Sequence, residues 1–291
     1  MTRTVTRNVL AGATVVITGA ARGMGAIYAR RAVAEGAGAV ALWDVDEALT
    51  AALATELGTP ASRVAAFGVD LGSPEQIVAT AQRTRDELGS PSIVINNAGI
   101  VRGGQFADQD PSRDIEQTMS INALAPMLVS REFLPAMIAD RSRHHRILNI
   151  ASAAGTLGNP GMSVYAASKW AVIGWSESLR LELVRGGNAH VAVTTFCPSF
   201  VSTGMFAGAR GPLMTPIMTP DEAADAAWQG MLSGRPLVLK PWTVKLGMAV
   251  RGVLPTPAWD VVADKVFHVY SSMDRFTGRT GGNGPGAGRV Q

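Results

Sequence analysis

Thr14 to Thr18 reads Thr-Val-Val-Ile-Thr, a short β-branched run that suits a buried strand. Gly19-Ala-Ala-Arg-Gly-Met-Gly25 follows at once, and a helical stretch from Ala26 to Glu35 follows that. No other feature restricts the fold as much, because the same alternation then repeats to the far end of the chain. Ala39–Asp44 reads as a second strand, Glu47–Leu57 as a helix, and Arg63–Val69 as a third strand. Pro74, well suited to a first turn, opens another helix, and Ser92–Asn96 is a fourth strand. A long helix is expected over Ser112–Ala139, with Pro126 as an irregularity inside it. Arg146–Ala151 is a fifth strand, and a helix containing Tyr165 runs to about Arg185. Ala189–Phe196 and Pro236–Lys240 are a sixth and a seventh strand. Strictly alternating strands and helices predict an α/β fold: one doubly wound parallel sheet of about seven strands, with helices on both faces. There is no internal repeat and no linker, so 1–291 is expected to be one domain. Its core spans 13–240, a helical extension 241–276, and a glycine-rich tail 277–291.

With 291 residues, 47% apolar and 17% charged, the chain can bury a sizeable core. The net charge is only +3, and no dense Lys/Arg run is interleaved with aromatics, so nucleic acid is not expected as a partner. Cys197 is the sole cysteine, which excludes an internal disulfide and is compatible with the expected cytoplasmic location. Met1–Asn8 has two arginines but no apolar core, so it does not read as a signal peptide. No uncharged apolar run reaches the roughly 18 residues of a membrane span. His144, His145, His190 and His268 lack metal-ligand spacing, and no metal is expected.

Two stretches carry chemistry. Gly19, Arg22, Gly23, Met24 and Gly25 lie in a turn between strand and helix, where glycines let the backbone approach a pyrophosphate at a helix N-terminus. Asp44 ends the second strand, where a carboxylate accepts from ribose hydroxyls and repels a 2′-phosphate, favouring NAD. Arg22 is the counter-signal for NADP, which ranks second. The other stretch holds Tyr165 and Lys169, four residues apart on one helical face. An ammonium beside the phenol is expected to lower its pKa and make it a proton donor and acceptor.

In order and spacing these residues resemble the short-chain dehydrogenase/reductase family. The resemblance runs from Ala13 to about Arg279 and rests on the glycine loop, Asp70, Asn96-Asn-Ala-Gly99, Asn122, Ser152, Tyr165 and Lys169. It implies that Tyr165 is the general acid in reduction and the base in oxidation, and that Lys169 bonds the nicotinamide ribose. Ser152 would hold the substrate oxygen, and Asn122 would kink its helix and hold a water linking Lys169 to solvent. Asp70 and Leu71 would meet the adenine, and Asn97, Ala98 and Gly99 the adenosine ribose. Pro198, Val201 and Thr203 would lie at the nicotinamide. Pro198 is followed by Ser199, where the family usually has glycine, which puts the shape of that turn in question. Family resemblance also suggests a homotetramer or homodimer.

Pro198–Phe206, Pro212–Pro220 and the segment from Leu254 to Asp274 are similar to the branch of retinol and hydroxysteroid dehydrogenases. The implied substrate is a hydrophobic secondary or allylic alcohol, or its ketone or aldehyde. A Met-rich lid over 204–219, with Met205, Phe206, Leu213, Met214, Ile217 and Met218, suits such a ligand. Trp242 and Val244–Leu254 extend the pocket, dock a neighbouring subunit or touch a membrane; the first two rank ahead, because only two cations flank the apolar face. The glycine-rich tail is either disordered or crosses onto a partner subunit. A 3-oxoacyl-carrier-protein reductase shares the core but would have a polar lid and a basic docking patch. A non-catalytic NAD sensor commonly loses the Tyr or the Lys, and both are intact here.

Overall fold

The computed structural model of the chain describes residues 9–213 and 215–278, so Met1–Asn8, Met214 and most of the glycine-rich tail lie outside the described residues. In chain order the elements are β1 (Thr14–Thr18), α1 (Gly23–Ala34), β2 (Ala39–Asp44), α2 (Glu47–Leu57), β3 (Arg63–Gly68), α3 (Pro74–Leu88), β4 (Ile93–Asn96) and α4 (Ala125–Ala139). They continue with β5 (His145–Ile150), α5 (Ser163–Arg185), β6 (Val191–Pro198), α6 (Pro220–Leu232), β7 (Leu237–Lys240), α7 (Trp242–Val253) and α8 (Thr256–Val261). The strands form one sheet in the order β3-β2-β1-β4-β5-β6-β7, every neighbouring pair parallel.

Successive side chains of a strand point to opposite faces, and the core divides accordingly. Val15 and Ile17 of β1, with Val40 and Leu42 of β2, enter the cluster shared with α1 and α6, where Tyr28 and Trp228 stack 6.1 Å apart. Val16 of β1, with Ala41 and Trp43 of β2, faces the opposite cluster, against Ile77 of α3, Phe133 of α4 and Leu179 of α5. Strands buried on both faces explain why β1, β2 and β4 read as nearly continuous apolar runs.

The long helix departs from expectation. It begins as a π-helical turn at Pro111–Glu116, passes through one α-turn at Gln117–Met119, and widens again to π geometry over Ser120–Leu124 before α4 starts. Pro126 is near the start of α4, and the irregularity lies ahead of it. Proline has no N–H for the carbonyl four residues back, here that of Asn122, so the regular ladder cannot pass through that point.

The chain leaves β1 toward β2 on one side and reaches β4 on the other. A crevice therefore opens beyond the carboxyl ends of β1 and β4, as in other doubly wound sheets. Among the described residues no helix is long and apolar enough to cross a membrane.

Candidate active site

The crevice begins at the glycine turn. Gly19 and Gly23 have φ of 64° and 57°, a left-handed conformation that glycine adopts without a Cβ penalty. A Cβ on Gly25 would land on the Gly19 carbonyl, so the turn closes only around glycine. Gly25→Ala is expected to destabilise the protein by about 1–3 kcal/mol, read as a fall in melting temperature together with weakened dinucleotide binding. A Cβ on Gly23 would meet only the Thr203 methyl, at 3.8 Å, so the turn is open toward the cleft. α1 starts there with no side-chain cap and no acid in its first turn, which leaves its N-terminal N–H groups and positive dipole end for an anion.

Asn97 pins this turn to β4. Its Nδ2 donates to the Thr18 and Gly19 carbonyls, both at 3.0 Å, while the Asn97 and Ala98 N–H groups donate to the Thr18 hydroxyl at 3.0 and 3.1 Å. At the outer end, Asp44 accepts from the Ala21 N–H at 2.9 Å and the Asp46 N–H at 3.0 Å, so its carboxylate is held in the cleft wall. Arg22 pairs with Asp46 at 2.6 Å, not with Asp44. Asp70 accepts from the Gly72 N–H at 2.8 Å and lines the same wall with Leu71 and Val45. Ser73, not Asp70, caps α3. The cleft encloses about 560 Å³ and touches Gly19, Arg22, Gly23, Met24, Asp44, Asp70, Leu71, Asn97, Ala98 and Gly99. It continues inward to Ser152, Tyr165, Lys169, Pro198, Val201 and Thr203. A long cleft with an uncapped helix end midway and a carboxylate at one end fits a dinucleotide. Of the expected binding residues, Gly25 contacts the turn rather than the cleft.

The inner end holds the titratable groups. Tyr165 and Lys169 share one face of α5, and Ser152 follows β5. Burial pushes the Tyr165 phenol up to about 12, and its hydrogen bond with the Ser152 hydroxyl only partly offsets this. The expected lowering by Lys169 does not occur in this state. The Lys169 Nζ lies 5.8 Å from the Tyr165 ring centroid and donates to the Ile150 carbonyl at 2.9 Å. Burial pushes this ammonium down to about 8. Desolvation wins for both groups, leaving the phenol protonated at neutral pH.

Asn122 sits in the π turn, buried. Its Oδ1 accepts from the Ile100 N–H at 2.8 Å, and its Nδ2 donates to the Ile100 carbonyl and to the Ser168 hydroxyl. It thereby ties the Gly99–Ile100 loop to α5. Deeper, Asn96 donates to Asn149, and Asn149 donates to Ser176, linking β4, β5 and α5 through buried amides. A buried network of this kind, in which the Asn96 Oδ1 alone is left without a partner, helps to fix the inclination of α5 and so the placement of Tyr165. Asn149 and Ser176 were not anticipated from sequence; they sit in runs that read as ordinary strand and helix.

Ser199 needs no glycine. His268, at φ 53°, is the one described non-glycine residue with positive φ, and the Ser199 N–H donates to the Lys240 carbonyl at 2.8 Å. Cys197 is fully buried beside Lys169, with burial pushing its thiol up to about 12, which leaves it unreactive.

An apolar pocket joins the cleft at Ser152, Ser199 and Phe206. α7 walls it with Trp242, Val244 and Leu246, so of the three roles considered for this segment, pocket extension is realised. Phe206 packs edge-on against the Tyr165 ring at 5.8 Å, and Leu213 lines the outer pocket. Met205 lines the cleft, Met218 is buried in the core and Ile217 is exposed, so only part of the expected lid faces the site. Met162 and Met273 complete the cover over Tyr165, with Phe276 packed against them. The segment carrying Met273 and Phe276 is held to the lid by Arg210 N–H to Ser272 O and Thr277 N–H to Ala207 O, both 2.9 Å.

Residues 13–212 match the family model described as short chain dehydrogenase. Over 280 residues the chain is 35% identical to mouse epidermal retinol dehydrogenase 2, covering 94% of this chain and 88% of that protein. It is 32% identical over 261 residues to rat estradiol 17-beta-dehydrogenase 11, covering 88% and 85%. Among solved structures, a short chain dehydrogenase/reductase from Burkholderia phymatum in complex with NAD superposes with a TM-score of 0.74 at 25% identity, covering 84% of this chain and 94% of that one. A Sphingobium yanoikuyae short-chain dehydrogenase in complex with NADPH gives 0.69 at 29% identity, covering 84% and 96%. The glycine turn, the parallel sheet and this similarity along almost the whole length lead to one assignment: the chain belongs to the short-chain dehydrogenase family, in its retinol and hydroxysteroid dehydrogenase branch, and is an oxidoreductase of that kind.

Proposed function

We propose that this protein interconverts a hydrophobic secondary or allylic alcohol and its ketone or aldehyde, using NAD(H). The observation that carries this reading is the meeting of Ser152, Tyr165 and Lys169 where the dinucleotide-sized cleft opens into an apolar pocket. A nicotinamide cofactor, when bound, supplies or accepts the hydride. The chain's own groups handle the oxygen. The Ser152 hydroxyl orients it, and the protonated Tyr165 phenol donates to it during reduction and takes the proton back during oxidation. Lys169 lines the inner cleft, where its ammonium would bond the nicotinamide ribose, and it donates to the Ile150 carbonyl at the end of β5. Asn122 holds the Gly99–Ile100 loop in place through its side-chain amide. Phe206, Met162 and Met273 keep bulk water off the phenol, which strengthens every electrostatic interaction inside. Turnover is expected to favour bulky apolar alcohols and ketones over small polar ones. A panel of retinoids, steroids and aryl ketones checks this; activity confined to acyl thioesters would overturn it.

The cofactor reading rests on charge. Asp44 is fixed in the wall, and Asp46 engages the cation that would otherwise greet a 2′-phosphate. Wild-type kcat/KM is expected to favour NAD over NADP by about tenfold or more, from carboxylate–phosphate repulsion. Asp46→Asn, which keeps a capping side chain for α2 while releasing Arg22, should narrow that ratio through the NADP arm alone. Initial rates with both cofactors decide it, and a wild-type preference for NADP would refute the charge argument.

A further inference from the structure

The chain enters α5 through a tight turn. Asn159-Pro-Gly-Met162 closes with the Met162 N–H donating to the Asn159 carbonyl at 3.2 Å. Proline presets φ at the second position, and Gly161, at φ 74°, supplies the left-handed third position of a type II turn. The turn sets the Asn159 side chain into the wall of the apolar pocket, beside Met162 and Ser272, which line the same pocket. The Asn159 Nδ2 donates to the Ser272 hydroxyl at 3.0 Å and, weakly, to the Met162 sulfur at 3.8 Å. Its Oδ1 is buried, and no donor among the described residues reaches it.

Oxygen and nitrogen of this amide are not interchangeable. Turned over, the oxygen would face the thioether sulfur, acceptor against acceptor. The other polar groups of the lining are engaged or stand elsewhere. The Ser152 hydroxyl bonds Tyr165, the Thr215 and Thr243 hydroxyls bond each other at 2.9 Å, and Ser199 stands at the junction with the cleft. The Asn159 Oδ1 is therefore a lone acceptor in a wall of aromatic and aliphatic side chains. A hydrocarbon seated against it would leave its desolvation uncompensated, whereas a ligand that donates there removes the penalty. The terminal torsion of asparagine is broad, so a modest swing of the amide presents this oxygen to a ligand.

We propose that Asn159, braced by Ser272, determines specificity by accepting a hydrogen bond from a second hydroxyl on the substrate. Asn159 lines the pocket and not the cleft, so that hydroxyl lies away from the carbon that reacts. The substrate class narrows to an apolar skeleton with two oxygens: a hydroxy ketone or hydroxy aldehyde in one direction, the matching diol in the other. Ser152 and Tyr165 take the oxygen whose carbon changes oxidation state, and Asn159 takes the one that stays a hydroxyl. This narrowing rests on the proposed function.

The test compares kcat/KM for a rigid apolar ketone with that for a set of its monohydroxy derivatives, the hydroxyl moved around the skeleton. In wild type at least one derivative is expected to exceed the parent by about tenfold to a hundredfold, the range set by one unanswered buried acceptor. Asn159→Leu keeps the approximate shape and removes the acceptor, so that ratio should fall to about one. Asn159→Asp keeps an acceptor and should keep the preference. A role confined to folding would scale parent and derivative alike and leave the ratio standing. Should Asn159→Leu not fold, Ser272→Ala removes only the brace and should lower the ratio in part. A wild-type ratio near one across the whole set overturns the proposal, as does a preference that Asn159→Leu or, in its place, Ser272→Ala leaves unchanged. Thermal shift with NAD and each ketone reads binding without turnover. If no lipophilic ketone or alcohol turns over, the proposed function falls and the thermal shift decides the subsite alone. A hydroxyl-dependent shift that Asn159→Leu abolishes would uphold it, and equal shifts for parent and derivatives would overturn it.

Discussion

Tyr165→Phe is expected to lower kcat by about 10²–10⁴-fold, the contribution typical of a positioned general acid or base, while dinucleotide affinity changes little. The substitution removes one oxygen and no ring volume. The ring keeps its edge contact with Phe206 and its packing on Met162 and Met273, so the cover over the site should survive. The Ser152 hydroxyl loses the phenol as a partner but still accepts from the Ala154 N–H at 3.1 Å. Stability should therefore move by only about 1 kcal/mol, the size of a single net hydrogen bond. Single-turnover kinetics, a fluorescence titration with NADH and a thermal melt separate the three quantities. If turnover persists near the wild-type rate while the fold and binding are intact, the proton comes from another group and the role given to Tyr165 is wrong. The pH dependence gives a second check. With the phenol held up to about 12 by burial, its acid form is fully populated at neutral pH. Reduction should then show no limb from Tyr165 below the strongly alkaline range, whereas oxidation, which needs the phenolate, should accelerate as pH rises.

Much of this was legible in the sequence, for a local reason. β1, the glycine turn and α1 are contiguous, so strand propensity, glycine placement and helix periodicity all speak within 21 residues, from Thr14 to Ala34. Tyr165 and Lys169 are legible for the same reason, since helical spacing alone puts them on one face. What could not be read was set by distant parts of the chain. The phenol and the ammonium carry perturbed pKa values because other elements bury them, and the i,i+4 spacing that suggested mutual assistance contains no information on desolvation. Met273 and Phe276 cover Tyr165 from more than 100 positions downstream, by way of lid contacts no local pattern announces. The Arg22–Asp46 pair joins a turn to the N-cap of α2, and it changes the meaning of Arg22 from a phosphate ligand to a partnered cation. The π turn at Asn122 was foreshadowed by Pro126, but its position ahead of the proline follows from the missing N–H reaching back one turn.

Lys169→Met is expected to lower turnover and raise stability together. Lys169 is 3% exposed, and burial depresses its ammonium from 10.5 to about 8. The unfolded chain therefore binds more protons than the folded one between those two values, so wild-type stability rises with pH across that window. At and below pH 8 the folded protein carries the whole penalty of a desolvated cation, on the order of 3 kcal/mol at about 1.4 kcal/mol per pKa unit. Methionine has a similar length and no charge. It removes that penalty but leaves the Ile150 carbonyl without its 2.9 Å donor, which returns roughly 1–2 kcal/mol. The net gain should be about 1–2 kcal/mol near pH 7, and it should reverse to a loss of about 1–2 kcal/mol as pH approaches 10.5, where the penalty is gone and only the lost hydrogen bond remains. Denaturant titrations of both proteins at several pH values would show it as midpoints that cross between about pH 8 and 10.5. The kinetic counterpart lies in the reductive kcat/KM, which reports groups of the free enzyme. In wild type it should fall as pH passes about 8, when Lys169 loses its proton, and that limb should vanish in Lys169→Met, whose residual rate is low at every pH. A variant that is both inactive and less stable at pH 7 would mean that the lysine is held by attractions stronger than its desolvation. The apolar cover over the site would then have to be reconsidered as the source of the shift.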